Sequence, residues 1–312
     1  MTIAPEILDR FLNGMPARSD DAPVGVAVSG GPDSLALLLL AEAAWPGQVR
    51  AATVDHGLRP ESAAEARWVA DMCAARGVPH HTLTPETPIT GSLQAGARRA
   101  RYALLDAWRE REGATCVMTA HHADDQAETL IMRLNRGAGV GGLAGIRAIN
   151  GRVVRPLLGW RRAELQAIVD AAGLTALRDP SNEDMRFDRA RFRRHLADAP
   201  WLDAQALARS AANLAEAEAA LGWMAERLAA ERIVETASGI TLDPSGLPAE
   251  LVRRLLRIVL RRRESGLDPS GPALDRALAE IALGAQVSLG DLLVRGGDIW
   301  QISTAPPRRT GI

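Results

Sequence analysis

Residues 24–34 read VGVAVSGGPDS, and this stretch decides the fold of the first half of the chain. Residues 24–29 are a short, mostly apolar run, which predicts a buried β-strand. The next residues, Gly-Gly-Pro, predict a turn, and SLALLLLAEAA predicts a helix. Glycine lets the backbone turn tightly with its N–H groups pointing inward, and a helix N-terminus stabilises an anion. This order of elements therefore predicts an anion-binding loop at the end of the first strand.

The following residues repeat the alternation of strand and helix. Strands are predicted at residues 50–55, 80–83 and 114–120, and helices at 61–77, 92–112 and 124–134. Strands separated by helices of this length are typical of βαβ units in a parallel sheet. Because such crossovers are right-handed, we expect an α/β fold with a doubly wound parallel sheet.

The pattern changes twice further along the chain. After Gly137 we expect a glycine-rich loop, a short strand near residues 153–157 and a helix over residues 161–172. Residues 203–233 are alanine-rich and predict one continuous helix. The last part predicts a strand at GITLD, a helix at PAELVRRLLRIVLRRR, two shorter helical pieces and a final strand near DIWQIS. We therefore expect a catalytic domain over residues 1–200, a helical linker over 201–235 and a small α+β domain over 236–312.

All 37 basic side chains are arginine, because the sequence contains no lysine. This excludes a Walker-A phosphate loop, a protein kinase, a pyridoxal-phosphate Schiff base and a Ser-Lys nucleophile, since each of these needs a lysine. An amine that reacts in this protein must come from a substrate. The formal net charge is −1, so any surface for nucleic acid must be a local patch.

The sequence also bears on the cellular compartment. Cys73 and Cys116 are far apart in sequence and form no Cys-x-x-Cys motif, which favours a reducing compartment without disulfides. The N-terminus contains acidic residues, unlike a signal peptide. The longest apolar run, residues 35–41, is too short to span a bilayer. We expect a cytoplasmic protein with no membrane partner, and the sequence leaves open whether it forms an oligomer.

Polar clusters follow two other predicted strands. Residues 54–57 read VDHG, and residues 120–129 read AHHADDQAET. Ligands of doubly wound sheets bind at the carboxyl ends of the strands, so both clusters are expected beside the SGGPDS loop. Asp33 in that loop would repel a phosphate unless a cation lay between them, which indicates Mg²⁺. The alternative is that Asp33 or Ser34 merely caps the helix.

The cluster at residues 120–129 has helical spacing. His121 and Asp125 are separated by four residues, as are Asp124 and Glu128, so each pair is expected on one helix face. A histidine beside a carboxylate can bind an incoming ammonium and remove its proton. Two alternatives remain open, an acidic helix cap and a dinuclear metal site. The metal site would use four side chains, namely His56, His121, His122 and Asp125.

These motifs resemble a known family. SGGPDS resembles the signature of the N-type ATP pyrophosphatases, or PP-loop superfamily. Within it, the chain resembles the tRNA(Ile)-lysidine synthases, through VDHGLRPES, GARRARY, AHHADDQAET, NRGAGVGGLAGI, RPLL and DPSN. The matches run from residue 29 to about residue 195 in the order of the family, and residues 240–312 resemble its first C-terminal domain more weakly. Ala190 departs from the asparagine usual in the family. The resemblance implies an adenine nucleotide α-hydrolase-like fold.

The resemblance also implies a reaction. ATP with Mg²⁺ adenylates the C2 oxygen of the wobble cytidine in the CAU anticodon of tRNA(Ile), and pyrophosphate leaves. The ε-amine of free L-lysine then attacks C2 and displaces AMP, which gives lysidine and changes codon reading from AUG to AUA. The alternatives are another adenylating enzyme of the same superfamily and a non-catalytic RNA-binding protein that uses ATP.

Site residues follow from the matching motifs. Contacts to the ATP phosphates are implied for Ser29, Gly30, Gly31, Pro32, Asp33 and Ser34, with Asp33 as the magnesium ligand. The adenosine is expected beside Val54, Asp55 and His56. Catalytic roles are implied for Asp33, His121, Asp125 and Arg101, with His121 and Asp125 activating lysine. Contacts to substrate and tRNA are implied for Arg136, Gly137, Arg189 and Arg193.

Two arginine-rich stretches are candidates for RNA contact. Residues 186–194 hold five arginines and residues 253–263 hold six. The guanidinium fork suits phosphate, although a run of charge is often only a solvated helix face. We expect the last domain to help distinguish tRNA(Ile) from the methionine tRNA with the same anticodon.

Overall fold

The computed structural model describes residues 3–18, 21–57, 60–86, 93–177, 188–197, 199, 201–237 and 239–305. The chain divides into two compact units, Met1–Ala215 and Glu216–Ile312. The boundary falls inside one long helix, α9 (Ala204–Arg232). The expected division into a catalytic domain, a linker and a small domain stays a prediction.

The first unit contains a six-stranded sheet. Its strands are β1 (Val24–Ala27), β2 (Val49–Val54), β3 (His80–Leu83), β4 (Val117–Met118), β5 (Ile149–Asn150) and β6 (Val153–Val154). Their order is β3-β2-β1-β4-β6-β5, and every pair is parallel except β5 with β6. The order reverses between β1 and β4, which creates the crevice where ligands of such sheets bind. The doubly wound parallel sheet is confirmed.

Strand β5 was not predicted. It pairs with β6 through a two-residue turn in which Gly151 has a φ of 58°. A glycine at the first position of such a turn is favoured because its positive φ matches the twist of the two strands.

Helices surround this sheet. They are α1 (Pro5–Asn13), α2 (Pro32–Ala44), α3 (Ser62–Ala75), α4 (Leu93–Arg111), α5 (Ala123–Leu134), α6 (Val140–Leu143), α7 (Arg162–Ala171) and α8 (Asp188–Ala197), followed by α9. Helix α2 is buried from Ser34 to Ala41, because it is apolar on every face. Each fully buried leucine there contributes about 1.5–3 kcal/mol, so α2 anchors the loop that precedes it. The expected glycine-rich loop contains the short helix α6.

The second unit is a five-stranded antiparallel sheet with two helices. Its elements are β7 (Ile233–Thr236), β8 (Gly239–Leu242), α10 (Ala249–Arg263), α11 (Gly271–Ala282), β9 (Gln286–Leu289), β10 (Leu292–Arg295) and β11 (Trp300–Thr304). The strand order is β7-β8-β11-β10-β9. Helix α10 buries Leu255, Leu256, Val259 and Leu260. The separate α+β region expected at the end of the chain is confirmed.

Two expectations for this region are wrong in detail. The helix predicted to reach residue 233 ends at Arg232, and Ile233 begins β7. The two short helical pieces are one helix, α11, followed by the unpredicted hairpin of β9 and β10. Gly290 forms the hairpin turn with a φ of 60°, where glycine is favoured. Among the helices described, none is long and apolar enough to cross a membrane.

Candidate active site

The SGGPDS loop connects β1 to α2 by a tight turn. Gly30 has a φ of 82°, and a Cβ at this position would lie 2.6 Å from Leu177 Cδ1. The backbone N–H of Leu177 donates to the carbonyl oxygen of Gly30 at 2.9 Å. Only glycine fits this position without strain, because both its backbone conformation and its close neighbour exclude a side chain.

Two serines hold the loop in shape. Ser34 Oγ donates to the carbonyl oxygen of Gly31 at 2.9 Å and accepts from the backbone N–H of Ser29 at 3.1 Å. The N-cap of α2 is Gly31, and no side chain caps the helix. The alternative that Asp33 or Ser34 is the N-cap is therefore wrong. An N-terminus without a side-chain cap has backbone N–H groups available to an anion such as phosphate.

His122 joins the first and fourth strand ends. Its Nε2 lies 3.5 Å from Asp33 Oδ2 and 3.6 Å from Asp125 Oδ2, and its side chain is 4% exposed. Burial alone would lower the pKa of His122, but the hydrogen bond to Asp33 and the charges of Asp125, Asp33 and Asp124 outweigh it, and its pKa is raised. The His122 ring, placed between these carboxylates, holds the SGGPDS loop against α5.

The start of α5 explains why His122 occupies this position. His122 is the N-cap, and its Nδ1 accepts from the backbone N–H of Asp125 at 3.4 Å. Asp125 Oδ2 accepts from the backbone N–H of His122 at 3.1 Å in return. His121 precedes the helix, and its Nδ1 lies 3.0 Å from Thr119 Oγ1. The expectation that His121 and Asp125 share a helix face is therefore wrong.

Asp124 anchors α5 to the start of α7. It accepts from Arg161 Nη2 at 3.1 Å and from the backbone N–H of Arg162 at 2.9 Å. Burial alone would raise the pKa of Asp124, but these hydrogen bonds and the charges of His122 and Arg161 lower it. Its carboxylate is thus committed to fixing the position of the helix.

Glu128 is a buried carboxylate that the motif analysis gave no separate role. It accepts from Arg193 Nε on α8 at 2.6 Å, and its side chain is 4% exposed. The hydrogen bond to Glu128 is the main cause that raises the pKa of Arg193, and the charges of Asp125 and Asp33 add to it. An internal guanidinium therefore lies against the acidic side chains that a substrate ammonium was expected to meet.

The end of β2 contributes a second histidine. Asp55 Oδ1 accepts from the backbone N–H of Gly57 at 2.8 Å, which turns the chain directly after Val54. His56 Nδ1 is buried with no hydrogen-bond partner among the described residues. Burial and the charge of Arg101 lower the pKa of His56, so the neutral imidazole is favoured. The charge of Arg101 thus acts on the imidazole at the end of β2.

Tyr102, the only tyrosine of the chain, is surrounded by arginines. Its hydroxyl oxygen accepts from Arg155 Nη2 at 3.3 Å, and the guanidinium of Arg98 lies 5.0 Å from its ring centre. The charges of Arg98 and Arg155 also act on Arg101, whose pKa is lowered chiefly by burial. Sequence reasoning did not identify Tyr102 or Arg155, because no linear motif joins α4 to the end of β6.

Other predicted site residues lie apart from these contacts. Arg136 and Gly137 follow the last turn of α5, so about 18 Å of helix separates them from His122. The side chain of Arg189 lies outside the described residues. In the described ranges, no group of three or more His, Cys, Asp or Glu side chains is arranged to hold a metal ion.

Known proteins provide an independent comparison. The model of the PP-loop domain family ATP_bind_3 matches residues 4–199. A tRNA(Ile)-lysidine synthase of Zymomonas mobilis is 42% identical, with 99% of this chain and 97% of that relative covered. One from Novosphingobium aromaticivorans is 48% identical, with 96% and 94% covered.

Among solved structures, the U34-tRNA thiolase NcsA from Methanococcus maripaludis is similar with a TM-score of 0.57 at 15% identity, covering 68% of this chain and 78% of that one. This likeness shows a shared fold only. The family is shown by two other findings: the match to the PP-loop domain, and the similarity to the two relatives over nearly their whole length. The chain belongs to the tRNA(Ile)-lysidine synthase family of PP-loop proteins.

Proposed function

We propose that this chain converts the wobble cytidine of the CAU anticodon of tRNA(Ile) to lysidine. ATP adenylates the C2 oxygen and pyrophosphate leaves; the ε-amine of free L-lysine then forms a bond to C2, and AMP departs with the C2 oxygen. The observation that carries the proposal is the contact of His122 with both Asp33 and Asp125. It brings the nucleotide loop and the HHADDQAET segment into one site, as a two-step reaction requires.

The ATP phosphates are assigned to the SGGPDS loop. Its tight turn and uncapped helix N-terminus favour an anion. The donor set also fits Mg²⁺, since Asp33 Oδ1 is buried and has no hydrogen-bond partner among the described residues, and Mg²⁺ is usually held by one or two carboxylates together with phosphates. When bound, the ion would neutralise the charge of the leaving pyrophosphate. Asp33 is the residue that would hold it.

Lysine activation is assigned to the residues that follow β4. A lysine side chain has a pKa of about 10.4 in water, so it must lose a proton before it attacks C2. Asp125 would bind the ammonium. His122 contacts Asp33 and Asp125 through Nε2 and accepts from the backbone N–H of Asp125 through Nδ1, so both of its ring nitrogens are already engaged. His121, positioned by Thr119, is the imidazole assigned to accept the proton.

Further roles follow from the same reading. Arg101 and His56 are assigned to the nucleotide and the reacting cytidine, because the charge of Arg101 lowers the pKa of His56. The second unit is assigned to tRNA binding. We further propose that the reaction takes place in the cytoplasm, where ATP, lysine and tRNA are all present.

Incorporation of labelled lysine into RNA tests the proposal. The assay would combine the purified chain, ATP, Mg²⁺, radioactive L-lysine and an unmodified tRNA(Ile) transcript with a CAU anticodon. We expect acid-precipitable label in the RNA and lysidine in its nucleoside digest by mass spectrometry. Because the chain contains no lysine, every ε-amine in the reaction belongs to the substrate.

The methionine tRNA with the same anticodon is the matched control, and it should remain unlabelled. Pyrophosphate released with the tRNA(Ile) transcript but without lysine in the RNA product would indicate a different PP-loop modification. Pyrophosphate released equally well without RNA would contradict an RNA substrate altogether.

A further inference from the structure

Three arginines act on Tyr102, and two more are linked to those three, although the five come from separate parts of the first unit. We call them the Tyr102 arginine cluster: Arg98, Arg101, Arg133, Arg147 and Arg155. Two belong to α4, one to the last turn of α5, and two flank the β5–β6 hairpin. Arg98 and Arg155 contact Tyr102, and the charge of Arg101 acts on it. The charges of Arg147 and Arg98 act on Arg133.

No member of the cluster forms an ion pair with a carboxylate in the part of the chain that the structure describes. Arg133 Nη1 donates to the carbonyl oxygens of Gly142 and Gly145 at 2.7 and 3.0 Å. Arg155 Nη1 donates to the carbonyl oxygen of Arg147 at 2.7 Å. Neutral carbonyl oxygens orient these groups without cancelling their charge. The positive charges therefore repel one another, and no carboxylate of the described residues is paired with them.

Arg155 is the most unusual member. It is 4% exposed, and its Nε is buried without a hydrogen-bond partner among the described residues. A buried cation without a carboxylate is costly, so its position calls for an anion from outside the protein. Arg98, by contrast, is exposed. The cluster thus reaches from the interior to solvent, where an extended anion can approach.

We propose that the Tyr102 arginine cluster binds the sugar–phosphate backbone of the RNA substrate beside the reacting base. Several guanidinium groups on three different segments suit successive phosphates of one strand better than a single small anion. The ATP phosphates already have the SGGPDS loop. The charge of Arg101 acts on His56, which follows β2 at the edge of the sheet where the nucleotide is assigned. Tyr102 acts as a positioning residue through its bond to Arg155.

This inference rests on the proposed function, and tRNA binding tests it separately from catalysis. The double variant Arg98→Gln/Arg147→Gln removes two cluster charges that are not fully buried. The matched control is Arg67→Gln/Arg111→Gln, which removes two exposed charges of the same unit. Arg111 ends α4 about 20 Å along the helix from Arg98.

Affinity for the tRNA(Ile) transcript would be measured by filter binding across a salt series. In the cluster variant we expect binding to weaken by about tenfold or more, and the slope of log affinity against log salt to fall by about 1.4, since each single-strand phosphate contributes about 0.7. In the control variant, the change in log affinity and the change in salt slope should each be at most about half of those in the cluster variant. The KM for ATP should stay within about twofold of the parent in both variants.

Tyr102 provides a second readout, because it is the only tyrosine. With ¹³C at Cζ of tyrosine, one NMR signal should shift when an anticodon stem-loop RNA is added, and inorganic pyrophosphate alone should leave it in place. Tyr102→Phe keeps the ring and removes the hydroxyl, and it should raise the KM for tRNA about threefold to tenfold with that for ATP unchanged.

Three results would overturn the inference. One is an unchanged tRNA affinity in the cluster variant, and another is an equal loss in the control. The third is a raised KM for ATP, or a tyrosine signal that responds to pyrophosphate, since either would place ATP phosphates in the cluster. A parent protein that binds tRNA(Ile) through the cluster but forms no lysidine would instead contradict the proposed function alone.

Discussion

Two arginine-rich regions of this molecule use their charges in opposite ways. In α10, four of six arginines pair with carboxylates of the second unit: Arg253 with Asp275, Arg254 with Glu218 and Glu250, and both Arg257 and Arg261 with Asp268. In the Tyr102 arginine cluster, none of the five pairs with a carboxylate of the described residues. The first arrangement joins helices together, whereas the second leaves charge available to a ligand.

The comparison shows that the density of arginine in a sequence does not by itself locate an RNA surface. Residues 253–263 are the denser run, yet acids placed on α9, α11 and the loop after α10 neutralise most of it. What distinguishes the two regions is the partner of each charge. We therefore expect groups without a protein partner to matter for function, and paired groups to matter for stability.

The largest expected effect is that of Asp33→Asn. Asp33 Oδ2 lies beside His122, but Oδ1 has no hydrogen-bond partner in the described residues, so this second oxygen is available to a ligand. We expect tRNA-dependent pyrophosphate release to fall by about 10³-fold. Without the Asp33 carboxylate, Mg²⁺ would be held less well, and the negative charge that develops on the leaving pyrophosphate would be less stabilised. The free energy of unfolding should change by less than about 1 kcal/mol. Both are measured on one preparation, by pyrophosphate release and by urea unfolding.

Asp268→Asn is the matched control, since Asp268 pairs with Arg257 and Arg261 on the surface of the second unit. It should leave pyrophosphate release unchanged. If Asp33→Asn retained more than about one tenth of the parent rate, the expectation that groups without a protein partner matter for function would be wrong for Asp33.

The pair of Glu128 with Arg193 tests whether a charge can be paired and functional at once. Removing one partner of a buried pair commonly costs about 3–5 kcal/mol. For Glu128→Gln we expect about 2–3 kcal/mol in urea unfolding, because the guanidinium of Arg193 remains 3.9 Å from Asp125. The KM for lysine should also rise. Without Glu128, Arg193 would pair more closely with Asp125, which is the carboxylate assigned to the lysine ammonium.

A double variant completes this test. Arg193→Gln added to Glu128→Gln removes the guanidinium that has lost Glu128 and should restore part of the lost stability, which a double-mutant cycle measures. A single variant that unfolds like the parent would show that the pair contributes nothing to stability and that the distinction between paired and unpaired groups fails inside the site.

Local sequence predicted most of the first sheet because strand, turn and helix signals agreed there. The two hairpins were missed for a different reason: β5 has two residues, β9 and β10 have four each, and such short strands show little alternation. Gly151 and Gly290 were nevertheless visible in the sequence, and each is the first residue of a two-residue loop, where glycine is typical of a hairpin turn.

The site was predictable at the level of motifs and less so at the level of single residues. The roles of His121 and His122 depend on where α5 begins, and the capping bonds of His122 set that start. Spacing alone could not distinguish the two histidines. The Tyr102 arginine cluster was beyond sequence reasoning, because tertiary folding brings its members together from three segments with no shared pattern.

A smaller effect is expected in the paired region. Arg254 bonds to Glu218 at 2.6 Å and to Glu250 at 2.9 Å, and its side chain is 15% exposed. Arg254→Met should lower the free energy of unfolding by about 1–2 kcal/mol, because two carboxylates lose their cation. Arg263→Met, an exposed position at the end of α10, should cost less than about 0.5 kcal/mol. Equal costs, measured by urea unfolding, would mean that pairing in α10 does not stabilise the second unit.

The smallest effect concerns the ionisation of Tyr102. Burial alone would raise the pKa of its hydroxyl, but the hydrogen bond from Arg155 and the charges of Arg98, Arg155 and Arg101 outweigh it, and the pKa is lowered. A phenol whose pKa is lowered by folding stabilises the protein above its unfolded pKa of about 10. That contribution is lost as the pH falls from the unfolded pKa through the folded pKa.

Because the chain has a single tyrosine, phenolate absorbance reports this group alone. The folded protein should titrate at a lower pH than the same chain in urea, and Arg98→Gln should move the titration back toward that of the unfolded chain. Arg111→Gln, on the same helix and away from the cluster, should leave it unchanged. A folded Tyr102 that titrated at or above the unfolded value would mean that the arginine charges are offset after all, and the contrast with α10 would disappear.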